Sequence, residues 1–290
     1  MNAEMRGRIA ALGRELSHDF MLATAAVTGQ HAARPDPAHG EALYDQAYGE
    51  HERHRIDIYG ARKDGAKRPV VLYVHGGGFV AGDKGGADKP FYRNVGAWAA
   101  ANGMLGAVLN YRLAPAAPWP AGRDDVLAAV AWLRKNAAAW GGDPSRIWIM
   151  GQSAGAAHVA AVVAELQRTG REDEVAGAVM ASGIYDLTQA EASEGNRAYY
   201  GSDPAQRAER SSIKELAATG IPCLFTVAEL DPLPFQQQAA LVVQARIAAK
   251  GAWPHMHLLP GHNHMTPMQT LGAREDDVGP LVLEFMANVP

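Results

Sequence analysis

The chain has 290 residues and a single cysteine, Cys223, which excludes an internal disulfide and a cysteine-cluster zinc site. It carries 27 basic and 31 acidic side chains, a net charge of −4. That balance argues against a basic face built for nucleic-acid phosphates or an anionic membrane surface. Hydrophobic residues at 48% and charged residues at 20% describe a globular chain, long enough for one large domain or two small ones with a full core.

Residues 1–17 place Ile9, Leu12 and Leu16 at helical spacing. Glu4, Arg6, Arg8 and Arg14 interrupt any apolar leader. No run of about 20 apolar residues occurs, so the expectation is a cytoplasmic protein without a membrane span. Residues 18–50 show no period, and 1–50 read as an N-terminal extension or lid ahead of a main domain at 51–290. The rhythm then turns to strand and helix. Arg55–Tyr59 alternates, and 70–74 is an unbroken apolar run of the kind a buried parallel strand needs. A helix follows at 89–102, a strand at 104–109 and a helix at 121–138 with Val126, Ala129, Val130 and Leu133 on one stripe. Residues 147–150 predict a strand, 154–167 a helix, 175–180 and 222–227 strands. A helix at 235–250, a strand at 255–259 and a helix at 278–287 close the chain. Such alternation predicts an α/β fold, a mostly parallel sheet with helices on both faces. The polar stretch 184–219 reads as a small insertion acting as a cap.

Ligands of such sheets sit outside the carboxyl ends of the strands, and three strand ends carry chemistry. Gly151-Gln152-Ser153-Ala154-Gly155 joins a strand to a helix, the setting of a nucleophile elbow. There the serine hydroxyl is lifted clear of the backbone, and the Ala154 N–H opens a helix that favours negative charge. His75-Gly76-Gly77-Gly78-Phe79 follows a strand and exposes backbone N–H groups that can face an oxyanion. Its glycine spacing fits no dinucleotide or P-loop pattern, and His75 reads as a structural hydrogen-bonder. Asp231 follows the strand at 222–227, and His262 and His264 follow the strand at 255–259. The chain order Ser153, Asp231, His264 is that of the α/β-hydrolase triad. Glu229 stays open as an alternative to Asp231, and His262 as an alternative to His264.

With these motifs, and with Tyr111-Arg-Leu-Ala-Pro115 and Asp125 ahead of the helix at 121–138, the chain resembles the hormone-sensitive-lipase-like branch of α/β-hydrolase carboxylesterases. The resemblance covers about 54–290. It implies Ser153 as nucleophile, His264 as general base, Asp231 as its orienter, and an oxyanion hole from the N–H groups of Gly77, Gly78 and Ala154. It implies bracing roles for Tyr111, Arg112 and Asp125. Ala116 departs from the glutamate common after this motif. The short interval from Ser153 to Asp231 leaves room for a small cap only, a feature also similar to arylformamidases.

The expected activity is therefore hydrolysis of short-chain carboxylic esters through an acyl-enzyme, with an arylformamidase or amide hydrolase as the alternative. A non-catalytic binding protein on the same fold is the reading from a different class. A histidine base that must be neutral predicts activity falling below about pH 6.5. No cofactor is expected. His255, His257, His262 and His264 cluster, but without an HExxH pattern no metal is expected. Phe79, Tyr199 and Tyr200 are the candidates to contact substrate, with Phe20, Met21, Leu22, Phe91 and Tyr92 as further wall residues. The expected partner is a small-molecule ester or formamide, not nucleic acid or membrane, and a homodimer stays open.

Overall fold

The computed structural model describes residues 1–190 and 193–289. The apolar runs become strands of one sheet: β1 (Glu41–Ala47), β2 (Arg55–Ala61), β3 (Arg68–Val74), β4 (Leu105–Leu109), β5 (Gly142–Gln152), β6 (Gly177–Ala181), β7 (Cys223–Leu230) and β8 (His255–Asn263). Their order is β1-β2-β4-β3-β5-β6-β7-β8. The pairs β1–β2 and β2–β4 are antiparallel, and every later pairing is parallel.

Helices cover both faces, so the central strands can be apolar on both sides. Along β3, Val70, Leu72 and Val74 enter one core with Val126, Leu133, Val159 and Val163. Val71 and Tyr73 enter the other with Val95, Trp98, Val282 and Phe285. The two-residue alternation of a strand thus divides one run between two cores. The helices are α1 (Ala3–Ala11), α2 (His18–Thr28), α3 (Arg93–Ala101), α4 (Ala121–Asn136), α5 (Ala154–Thr169), α6 (Glu194–Tyr200), α7 (Pro204–Arg210), α8 (Ile213–Ala218), α9 (Leu233–Lys250), α10 (Thr266–Gln269) and α11 (Gly279–Asn288). This is the α/β fold that the alternation predicts.

The N-terminal region differs from the expectation. Its first helix ends at Ala11, and a second, α2, begins behind the Ser17 side chain, which accepts from the Phe20 N–H. Residues 41–47 are not outside the sheet but form its first strand. Their side chains are half-buried or exposed, which leaves little hydrophobic period to read. The stretch 184–219 contains α6, α7 and α8, with residues 191 and 192 outside the described residues. Tyr185 and Leu216, near the two ends of this stretch, pack into the main core, while Leu187, Tyr199 and Tyr200 between them form a separate cluster with Phe79 and Ala154. Among the described residues no helix is long and apolar enough to cross a membrane.

Candidate active site

Five neighbouring strands, β3, β5, β6, β7 and β8, deliver their carboxyl ends to one edge of the sheet. At the end of β5 the chain turns through Ser153, with φ 57° and ψ −121°, and enters α5 at Ala154. A non-glycine residue rarely adopts such a φ, and the surrounding turn requires glycines for a steric reason. A side chain at Gly151 would overlap the Gly155 carbonyl, and one at Gly155 would overlap the carbonyl of Val74. Strand, elbow and helix therefore meet backbone to backbone. The Ala154 N–H lies in the first turn of a sixteen-residue helix, where donors are unsatisfied and the dipole favours an anion.

The glycine loop after β3 lies against this elbow. A Cβ on Gly76 would sit 3.2 Å from Ser153 Cβ and 2.8 Å from Gln152 Oε1. Gly77 holds φ 129°, and a side chain there would run into the Ala81 carbonyl. Around Gly78 (φ 58°) a Cβ would meet nothing within 4 Å, so that side of the loop is open. His75 braces the loop from below. Its Nδ1 donates to the Gly76 carbonyl at 2.6 Å, its ring stacks on Tyr111 at 4.5 Å, and the Tyr111 hydroxyl donates to the His75 carbonyl at 3.0 Å. Burial pushes the His75 pKa down to about 4, so the ring is neutral. The brace continues outward. Asp125 accepts from the Arg112 backbone N–H at 2.8 Å and from Arg112 Nη2 at 2.6 Å, which closes the Tyr111–Pro115 turn onto α4.

Asp231 and His264 meet directly. His264 Nδ1 donates to Asp231 Oδ1 at 2.6 Å, with the two residues 2% and 0% exposed. In the neutral ring this bond puts the proton on Nδ1 and leaves the lone pair on Nε2. That Nε2 is buried and has no hydrogen-bond partner among the described residues. Phe235 covers the ring at 4.3 Å. Gln152, the residue before the serine, donates from Nε2 to the His264 carbonyl at 2.8 Å, so the elbow and the histidine loop are tied together. The helix α2 supports that loop from the far side. Thr24 accepts from Asn263 Nδ2 at 3.1 Å, and Thr28 donates to Gln269 at 2.7 Å.

The alternatives left open by the sequence have other partners. Glu229 is exposed, and its carboxylate accepts from the Gly261 N–H at 2.6 Å. His262 is buried between Thr266 at 3.0 Å and Asp277 at 3.2 Å. Asp277 also holds the Met1 ammonium at 2.7 Å, so His262 belongs to the seat of α1. Burial pushes its pKa down to about 4 despite Asp277. His255 and His257 are exposed on β8, apart from the buried pair, and among the described residues no group of three or more metal-binding side chains occurs.

The structure places the substrate-contact candidates Phe79, Tyr199 and Tyr200 in a buried cluster with Ala154. They are 3%, 1% and 2% exposed. Phe79 stacks on Tyr199 at 4.9 Å and meets Tyr200 edge-on at 5.1 Å. The Tyr199 hydroxyl accepts from the Gly122 N–H at 3.1 Å, at the start of α4. These rings pack with Ala154, Ala157 and Leu187 in one buried cluster. Of the further wall candidates, Phe20 is buried and Tyr92 packs on Tyr73 at 5.1 Å. Met21 and Leu22 are 40% and 57% exposed. The helix α6 is seated on the glycine loop, because Gly195 backs onto the Gly78 carbonyl so closely that any side chain would overlap it.

The family model BD-FAE matches residues 56–216, more than half of the chain, from β2 through the elbow to α8. The chain belongs to the BD-FAE family. Carboxylesterase NlhH of Mycobacterium tuberculosis is 47% identical over 101 residues, covering 34% of this chain and 30% of that protein. Esterase LipQ of the same organism is 33% identical over 172 residues, covering 56% of this chain and 40% of that protein. The chain thus matches less than half the length of these curated relatives. Among solved structures, the thermostable carboxylesterase EstE1 from a metagenomic library superposes with a TM-score of 0.70 at 22% identity, covering 90% of this chain and 93% of that one. Esterase B from Lactobacillus rhamnosis superposes with a TM-score of 0.73 at 17% identity, covering 99% and 96%. The BD-FAE member therefore has the α/β-hydrolase fold, as its motifs suggest.

Proposed function

We propose that this BD-FAE member is a serine carboxylesterase acting on short-chain esters through an acyl-enzyme. The observation that carries the reading is the buried His264–Asp231 pair, tied to the Ser153 elbow through Gln152. The names of the curated relatives, carboxylesterase and esterase, agree with it.

In this reading His264 Nε2 takes the proton from Ser153 Oγ as that oxygen bonds to the ester carbonyl carbon. The carbonyl oxygen becomes an oxyanion, accepting from the N–H groups of Gly77, Gly78 and Ala154. The carbon–alkoxy bond then breaks, and the leaving oxygen takes the proton from His264. Water next attacks the acyl-serine and gives its proton to the same nitrogen. Release of the acid returns the proton to Ser153. Asp231 accepts throughout and stabilises the imidazolium that forms twice per cycle.

The test is hydrolysis of p-nitrophenyl acetate at about pH 8 by the wild type and Ser153→Ala, with an N-formyl aniline alongside. The expected result is ester turnover lost by more than about 10³-fold in the variant. Equal turnover by both proteins would sink the assignment of Ser153. Turnover of the formamide with none of the ester would replace the ester reading with the amide one.

A further inference from the structure

One strand end in the row has no part in the scheme above. The strand β6 lies between β5, which carries Ser153, and β7, which carries Asp231. It ends at Ala181, and the next residue is Ser182. We infer that Ser182 is a positioning residue of the same site, fixing the Asp231 carboxylate through a hydrogen bond from its hydroxyl. This inference rests on the proposed esterase reading.

The geometry is specific. Ser182 Oγ donates to Asp231 Oδ2 at 2.6 Å, and both side chains are buried, 3% and 0% exposed. Asp231 Oδ2 also accepts the Ala228 N–H at 2.8 Å, while Oδ1 takes the His264 proton. Ser182 and Ala228 therefore hold one oxygen in place and set the plane of the carboxylate. With Ser182 gone, a single N–H would oppose rotation about the carboxylate bond, and the imidazole would lose its fixed heading. Among the described residues no lysine or arginine is bonded to Asp231. The titratable neighbours are His264 itself and Tyr185, whose hydroxyl burial keeps neutral.

The backbone points the same way. Ser182 holds φ 50°, an unfavourable conformation for a residue with a side chain, while its N–H donates to the Thr226 carbonyl at 2.9 Å. Glycine would adopt that φ without strain. A serine at this position costs backbone energy and in return places a hydroxyl on the one carboxylate that orients the base.

This strain supplies a clean control. Ser182→Ala removes the hydroxyl and keeps the strained φ, whereas Ser182→Gly removes the hydroxyl and relieves it. A residue serving only the fold predicts that Ser182→Gly works as well as wild type. A positioning residue predicts that both variants lose turnover alike. The experiment measures kcat and KM for p-nitrophenyl acetate across pH, per active site labelled by a fluorophosphonate, together with urea unfolding. The expected result is a kcat lower by roughly tenfold in both variants, with KM within about twofold. The acid limb of kcat/KM should also move to higher pH. Without the hydroxyl the carboxylate is less neutralised and holds the imidazolium more strongly, so His264 gives up its proton later.

Wild-type kcat and acid limb in either variant would overturn the inference. So would loss of labelled sites and of the folded state in both, since the hydroxyl would then serve folding alone. A wild type without ester or formamide turnover would overturn the esterase reading and this inference with it. A turning-over wild type with unchanged variants would overturn only this inference.

Discussion

His158 offers a sharp test of how burial sets the chemistry of this core. It lies on α5, five residues after Ser153, and is 0% exposed. Phe79, Tyr111 and Tyr199 enclose its ring at 5.3, 4.5 and 5.1 Å. Neither ring nitrogen has a hydrogen-bond partner among the described residues. Burial, with His75 adding repulsion, pushes its pKa down to about 3. In the unfolded chain a histidine binds its proton near pH 6.5. Between those values the unfolded state holds more protons, so stability is full above about pH 6.5 and declines as pH falls. At pH 5 the loss is about 1.5 pH units times 1.36 kcal/mol, or ~2 kcal/mol from this residue. His158→Leu has similar volume and no titration. It also removes two unsatisfied buried nitrogens, a gain of about 1–3 kcal/mol at neutral pH. Urea midpoints of both proteins at pH 7.5 and pH 5 give the answer. The variant's advantage should widen by about 2 kcal/mol at pH 5. His262 titrates alike in both proteins, and His75, with its pKa pushed down to about 4, is largely neutral in both folded proteins at pH 5 and above, so both cancel. An advantage that does not change with pH would refute the reasoning.

The remaining predictions concern the site and its frame. Asp231→Asn should lower turnover by about 10³–10⁴-fold, because an amide holds the wrong imidazole tautomer; Glu229→Gln, altering an exposed side chain bonded to Gly261, should stay within about twofold in the same ester assay. Gly155→Ala should cost about 3 kcal/mol or more, since the new methyl meets the Val74 carbonyl, and soluble yield with thermal unfolding would report it. Asp125→Ala should lower stability by about 2–4 kcal/mol in urea while turnover per folded molecule stays within about threefold. A large turnover loss there would mean that the Arg112 turn reaches the reacting atoms.

Much of the fold was legible because the central strands are buried on both faces and read as plain apolar runs. The elbow was legible because Gly151 and Gly155 are local necessities that leave a local pattern. The pairing of Asp231, rather than Glu229, with His264 was not legible. Glu229 lies in the last residues of β7 and Asp231 just after it, and only the turn at 228–231, closed by the Asp231 N–H to the Ala228 carbonyl at 3.1 Å, buries one and exposes the other. The different partners of His264 and His262 were likewise not legible, since His262 is held by Thr266, one turn on, and by Asp277, fifteen residues away. The mutual packing of Phe79, Tyr199 and Tyr200 was not legible, because aromatic rings near a strand end can line a site or fill the space beside it. Ser182 left one faint signal, a serine directly after a buried strand whose neighbours both carry site residues, and that adjacency exists only once the strand order is known. The strand β1 and the helix α2 left less, since the first is half-exposed and the second depends on Thr24 and Thr28 meeting the histidine loop.

The contact between Gly195 and Gly78 limits how this molecule can be diversified. Gly195, in α6, and Gly78, in the glycine loop after β3, touch without an intervening side chain. A library that randomises residue 195 would disturb the glycine loop together with whatever recognition it was meant to alter. At the exposed Met21 and Leu22, by contrast, side chains can be exchanged while that spacing stays fixed.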